Sequence, residues 1–504
     1  MSLSKREFLQ VLGAAGVAGM GLARHADADA ATAEQALYDV PKFGQVSLLH
    51  MTDCHAQLLP IRFREPSVNL GLGSMAGELP HLVGEHLLKK AGLRPGSAQA
   101  HAYTFLDFET ASQRYGKVGG FAELATLVKR LKASRPGALL LDGGDTWQGS
   151  ATSLWTNAQD MVDACKLLGV DVMTGHWEFT YGMERVKEIV EKDFKGKVDF
   201  VAQNVKTTDF GDPVFSPYVI KPINGVPVAI IGQAFPYTPI ANPRYMVADW
   251  SFGIQDDNLQ KMVDEARGKG AQVVVVLSHN GMDVDLKMAS RVRGIDAILG
   301  GHTHDGMPVP VLVKNAGGTT IVTNAGSNSK FLGVIDFDVK GGKVADFRYT
   351  LLPVFANQIQ PDAEMAALIR KVRAPYESKL AEKMRLVTEK HALLVERFGV
   401  EAFVPTGQFK KDLYAKGPLA MVSRAMINCD SFDEAVAGLA ADLDNLFEIM
   451  QRQEEDIDAS SATASSGPAR KRVDPSRRAA QVARSQAGPK KGVNAQPPKH
   501  GAQK

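Results

Sequence analysis

Residues 45–55 read Gln-Val-Ser-Leu-Leu-His-Met-Thr-Asp-Cys-His, an apolar run of strand length that stops at the polar cluster Thr52-Asp53-Cys54-His55. A short apolar run alone does not separate strand from helix. The same break recurs along the chain, and the recurrence decides the reading. Residues 138–141 run into Asp142-Gly143-Gly144-Asp145, 171–174 into Gly175-His176, 272–278 into His279-Asn280, and 295–299 into Gly300-Gly301-His302. Residues 227–232, rich in Val and Ile, make a further buried-strand candidate. Helical patterns fill several intervals, at 121–133, 157–168, 183–192 and 258–269. Strands alternating with helices predict a largely parallel α/β layout. Residues 331–339 (FLGVIDFDV) alternate instead, as a half-exposed antiparallel strand does.

Six polar clusters stand at or just beyond these strand ends: Asp53-Cys54-His55, Gly144-Asp145, Gly175-His176-Trp177-Glu178, Gln203-Asn204, His279-Asn280 and His302-Thr303-His304. In open α/β sheets, sites assemble at the carboxyl ends of strands. Carboxylates with several imidazoles suit borderline divalent ions such as Mn, Fe, Co or Zn. So many histidines at one edge exceed the needs of one ion and suit two. A carboxylate such as Asp145 can bridge both, as in two-metal hydrolysis. Any one cluster is weak, because Asp-x-His recurs by chance and a lone His is more often a packed or surface residue. The ordered set is what carries the reading.

Asp-x-His, Gly-Asp-x-x-x-Gly (GDTWQG, 144–149), a Gly-x-x-Glu-Phe element, Ser-His and Gly-His-x-His resemble the signature of calcineurin-like metallophosphoesterases and 5′-nucleotidases. Those enzymes carry Gly-Asn-His-Glu-Phe where this chain has Gly175-His176-Trp177-Glu178-Phe179. That variant, with residues 51–71, 143–156, 175–182 and 300–308, resembles the SoxB-type thiosulfohydrolases. The resemblance runs to about residue 385 and implies a four-layer α/β/β/α sandwich holding two divalent metal ions, manganese (Mn2+) in that family. It implies Asp53, His55, Asp145 and His304 around one ion. Asp145, His279, His302 and the residue at the Asn position, His176, would surround the other, with Asn204 as an alternative to His176. Trp177 stands where phosphoesterases place an imidazole that assists the leaving group. It is read as a pocket-lining residue, with plain core packing the alternative.

The implied reaction is hydrolysis of a cysteine S-thiosulfonate on the sulfur carrier SoxYZ, releasing sulfate. A thiolate or persulfide leaves readily and needs less general-acid help than an alkoxide, which makes Trp177 tolerable there and a handicap for nucleotide esters. A 5′-nucleotidase-like phosphohydrolase and an inactive metal-binding scaffold are the alternatives. Arg62 and Arg64, in the loop after the first ligand pair, would contact the sulfonate or the carrier, or else form a solvated loop. Cys54 is read as a small packed residue pointing away from the ligands.

The 504 residues are 44% hydrophobic and 23% charged, an ordinary globular composition, and three cysteines exclude a disulfide scaffold. Residues 1–30 carry Lys5-Arg6, a short Gly- and Ala-rich apolar run and small-residue sites. These are the marks of a cleaved, twin-arginine-like export signal, and they predict a periplasmic protein with no membrane span. The catalytic domain is placed at 40–360 and a linker helix at 361–400, read as one long charged helix from Asp362 to about Phe398. Residues 401–458 form a helical extension of unknown role. Residues 459–504 hold ten Lys or Arg against Asp474 alone, with few large apolar residues, and are expected to be disordered. Without interleaved aromatics this basic tail is not read as a nucleic-acid partner site. The second α/β domain that family members carry after the linker is not recognisable.

Overall fold

The computed structural model describes residues 37–62, 77–104, 106–382 and 385. Twelve strands build its two six-stranded sheets, beside a small two-stranded one of Lys206–Thr207 and Trp250–Ser251. They are β1 (Val46–Met51), β2 (Leu139–Asp142), β3 (Val172–Met173), β4 (Asp199–Phe200), β5 (Tyr218–Ile223), β6 (Val226–Gln233), β7 (Val273–Ser278), β8 (Ala297–Gly300), β9 (Val311–Asn315), β10 (Gly318–Asn324), β11 (Phe331–Lys340) and β12 (Lys343–Pro353). The first sheet runs β12-β11-β1-β2-β3-β4 and the second β9-β10-β8-β7-β6-β5. Within them β1 to β4 pair in parallel, as do β6, β7, β8 and β10. The outer hairpins β11–β12, β5–β6 and β9–β10 are antiparallel.

Alternation along each strand sorts side chains into layers. Val46 and Leu48 of β1, and Val273, Val275 and Leu277 of β7, pack between the sheets. Leu49 and Met51 face the other way, under helices α1 (Phe121–Ser134), α2 (Gln159–Leu168) and α5 (Ala363–Arg373). Val274 and Val276 pack under α3 (Asp256–Gly268) and α4 (Met282–Arg291) on the far side. The order is helix, sheet, sheet, helix, the expected four-layer α/β/β/α arrangement.

Three expectations need correction. β11 is buried over its first seven residues, not half-exposed, because Leu332 and Val334 pack on the helix side while Ile335 and Phe337 pack between the sheets. The helix beginning at Ala363 is not continuous: it tightens into a 3-10 turn at Ala374–Tyr376, where Pro375 lacks the N–H that an α-helix needs. The pattern at 183–192 is an α-helix only over Met183–Glu188 and widens into a π-turn at Ile189–Asp193. The export signal, most of the stretch beyond residue 382, the 401–458 extension and the basic tail lie outside the described residues. Among the described residues no helix is long and apolar enough to cross a membrane.

A candidate two-ion centre at the carboxyl edge

The carboxyl ends of β1, β2, β3, β7 and β8 converge on two side-chain clusters. Asp145, His176, His279 and His302 form one, and Asp53, His55 and His304 the other. Asp145 stands between them. Its Oδ2 lies 3.1 Å from His176 Nδ1, 3.1 Å from His279 Nε2 and 3.9 Å from His55 Nε2. On the other side, His304 Nε2 is 3.4 Å from Asp53 Oδ1 and 2.9 Å from His55 Nε2.

The backbone is bent to make this meeting. Asp53, His55, Asp145, His302 and His304 all have φ between 49° and 73°, the left-handed region that side chains other than glycine rarely enter. Such conformations cluster at functional sites, where surrounding contacts hold them. Here the holding contacts are visible. Asp53 N donates to Gly144 O, His55 N to Asp145 O and Ala56 N to Thr146 O, lacing the loop after β1 to the loop after β2. Glu178 then binds the loops after β2 and β3 together. Its Oε2 accepts from the N–H groups of Asp145 and His176, its Oε1 from those of Thr146 and Trp147. Gly301 is needed at the floor, since a Cβ there would overlap Thr52 Oγ1 and sit 2.9 Å from His279 Nδ1.

Electrostatics at this edge call for positive charge. Burial alone would raise the carboxyls, but His279 and His304 hold Asp53 down at about 2. His176 and His279 likewise hold Asp145 well below the usual range against its burial. Burial would lower His279, but Asp145 and Asp53 override it and keep the imidazole protonated up to about 10. Burial, then His279 and His176, push His302 down to about 3, leaving a neutral imidazole. Two buried carboxylates thus draw in a proton where a cation is the alternative, and metal binding at such sites displaces protons.

The donor set fits divalent ions. The buried Nε2 of His176 has no hydrogen-bond acceptor, as a ligand atom would not, and the Nε2 of His279 faces the Asp145 carboxylate at 3.1 Å. His279 Nδ1 lies 2.7 Å from the carbonyl of Gly143, which fixes a proton there and aims Nε2 inward. Thr52 Oγ1 and the His302 N–H donate to the Asp53 carboxylate, and the Trp177 N–H donates to Asp145 Oδ1. Imidazole and carboxylate donors in this mixture suit Mn, Fe, Co or Zn without choosing among them.

No protein-family profile matches the chain. Among solved structures, the sulfate thiohydrolase SoxB of Thermus thermophilus, in complex with glycerol, is 35% identical with a TM-score of 0.63, over 68% of this chain and 62% of that one. A 5′-nucleotidase precursor, also from Thermus thermophilus, shares the fold at 22% identity and a TM-score of 0.51, over 66% of this chain and 59% of that one. Curated 5′-nucleotidases match as well. The rat protein is 29% identical over 278 residues, 51% of this chain and 47% of its own length, and the human one is 27% identical over 278 residues, 51% and 47%. The chain is a SoxB-like member of the 5′-nucleotidase/metallophosphoesterase superfamily. It spans about half the length of the curated relatives it matches.

In this SoxB-like site the seven candidate ligands come together as a cluster of four that includes Asp145 and a cluster of three, Asp53, His55 and His304, which Asp145 Oδ2 approaches at 3.9 Å from His55. Asn204 does not join them. Its amide donates to the carbonyls of Ala234 and Gly253 and its Oδ1 accepts from the Ala234 N–H, so it is spent on backbone. Trp177 is half-buried, its ring edge-on to His55 at 5.9 Å and to His176 at 6.0 Å, so it stands beside a residue of each cluster. Arg62 is exposed directly after the Ile61–Val118 bridge, and Arg64 lies outside the described residues. Cys54 is buried in the apolar layer below, and its thiol is pushed up to about 12, by burial first and then by Asp142.

Sequence reasoning missed Phe235. Its ring packs at 4.0 Å on His176 and 4.1 Å on His302, wedging both imidazoles of the four-residue cluster. The signal was available: Phe235 stands two residues past the end of β6, a strand end like those that supply the ligands. Glu178 was legible only as part of a motif, and its service to four backbone groups needed the folded turns.

Proposed function

We propose that this protein is a metal-dependent hydrolase that cleaves a cysteine S-thiosulfonate carried on a sulfur-carrier protein of the SoxYZ type. Water adds an oxygen to the terminal sulfur, the sulfur–sulfur bond to the sulfonate breaks, sulfate leaves and a persulfide stays on the carrier cysteine. Asp53, His55, Asp145 and His304 would hold one divalent ion, and Asp145, His176, His279 and His302 the other. Ions held there would supply Lewis-acid charge for an anionic oxygen and lower the pKa of a water nucleophile. The chain's own residues do the rest. Glu178 keeps the Asp145 and His176 turns in register, Phe235 holds two imidazoles, and the Trp177 ring narrows the mouth beside His55 and His176.

Trp177 carries this choice of substrate. An indole cannot protonate an alkoxide, and a persulfide leaving group does not need it to. The likeness to SoxB at 35% identity supports the same reading. The curated 5′-nucleotidase relatives favour a second one, hydrolysis of a nucleoside monophosphate by the same centre. Manganese as the resident ion and export to the periplasm through a twin-arginine-like signal belong to the proposal, as does a catalytic domain at 40–360 with a linker to 400. The test is sulfate release from thiosulfonated carrier by manganese-loaded full-length protein, with AMP as control. Sulfate release without AMP hydrolysis is the expected result. AMP turnover with no sulfate released would transfer the assignment to the second reading.

A further inference from the structure

Behind the four-residue cluster runs a chain of buried amides that neither sequence motif nor ligand geometry accounts for. Asn258 Nδ2 donates to Gln203 Oε1 at 2.5 Å, and Gln203 Nε2 donates to Gln233 Oε1 at 2.6 Å. Gln233 Nε2 donates to Asn280 Oδ1 at 3.0 Å, and Asn280 Nδ2 to Asp285 Oδ1 at 3.0 Å. Ser278 Oγ donates to the same Asp285 oxygen at 2.6 Å. Gln203, Gln233, Ser278, Asn280 and Asp285 are all buried. Each link passes from an amide N–H to the next oxygen, so the direction is consistent and the chain ends on one carboxyl oxygen that accepts from both Asn280 and Ser278. Asp285 carries that oxygen.

Its position explains what the chain holds. Ser278 and Asn280 flank His279, whose backbone N–H donates to the carbonyl of Gln233. The second Asp285 oxygen lies against Gly300, two residues before His302: a Cβ on Gly300 would meet Asp285 Oδ2 at 2.6 Å. Gln203 follows β4 in the first sheet, and Gln233 ends β6 in the second. The four-residue cluster draws His176 from the first sheet and His279 and His302 from the second, so its dimensions depend on how the sheets are locked at this edge.

We infer that Asp285 is a positioning residue for the second ion, setting His279 through Ser278 and Asn280 and His302 through Gly300. The inference rests on the two-ion reading above. Outer partners of metal ligands are worth roughly 10- to 100-fold in metal affinity. Asp285→Ala should therefore weaken one of two ions by that factor, leaving the ion at Asp53, His55 and His304 in place. Asp285→Asn keeps an oxygen facing Ser278 and Asn280 and should restore the affinity.

The experiment is titration of metal-free full-length protein with Mn2+, read by calorimetry and by metal count, for wild type and both variants. One tight and one weakened ion in Asp285→Ala, with recovery in Asp285→Asn, is the expected result. Unchanged affinities in Asp285→Ala, or equal loss at both sites, would overturn the inference. Should Asp285→Ala not be recovered folded, Ser278→Ala removes one of the two donors. Selective weakening of one ion is then expected, and wild-type affinity or equal loss at both sites would overturn the proposal. A wild type that binds fewer than two ions would defeat the two-ion reading itself, separately from any result on sulfate release.

Discussion

The Glu178 carboxylate accepts from four backbone N–H groups, and only a group with two acceptor oxygens can do so. Glu178→Gln keeps the shape but turns an NH2 toward two of those donors. Each stranded buried N–H costs about 1–3 kcal/mol, so the apo protein should lose several kcal/mol in urea unfolding and bind metal poorly. A stability loss under about 1 kcal/mol would show that the turns hold themselves. Asp145→Ala tests the bridge: with contacts to His55, His176 and His279, its loss should remove both ions or nearly all activity. Metal analysis finding two ions in the variant would end the bridging role. Trp177→His asks about chemistry. An imidazole there can protonate a poor leaving group, so aryl phosphate hydrolysis should rise, up to the roughly 100- to 10,000-fold that general acids provide. A folded, metal-loaded variant with no gain on esters would remove the reason given for the indole.

At the scale of elements, Gly232 marks where the sheets are joined. Its carbonyl accepts from the Gln203 N–H, and a Cβ on it would overlap the carbonyl oxygen of Val201. Gly232→Ala therefore forces β6 and the segment after β4 apart. We expect a loss of about 3 kcal/mol or more, at the upper end of overpacking costs, checked by thermal unfolding. This crossing was invisible beforehand, because residues 227–232 read as a strand whatever they pack against. What was legible was the strand–turn rhythm, since a buried strand must end in polar residues where its edge reaches solvent. Hence Asp53, Asp145, His176, His279 and His302 could each be placed at a strand end, although that rhythm did not show that two sheets supply them. β11 misled because FLGVIDFDV alternates in apolarity, yet Asp336, one of its polar residues, is consumed by buried Arg135 and does not face water. A pattern of residue types cannot show that an ion pair satisfies them. The choice between His176 and Asn204 stayed open for the same reason: a strand-end amide can read as a ligand until Ala234 and Gly253 claim it.

For the whole molecule, all seven candidate ligands lie between Asp53 and His304, so removing residues 459–504 should leave metal content and melting temperature unchanged. A drop in either would give that tail a part in the described body. Chelation should act in the opposite way. An ion bound only to the native state adds stability with its excess over Kd, about 4 kcal/mol at a thousandfold, so EDTA should lower Tm and Mn2+ restore it. The strand order has a further consequence, in time. β1, which leads into Asp53 and His55, is seated between β2 and β11, the latter about 290 residues further along the chain. Contacts so distant in sequence form late in folding. No nascent chain that stops short of β11 can therefore complete this centre, and in a refolding experiment the uptake of metal becomes a clock for the closing of the first sheet.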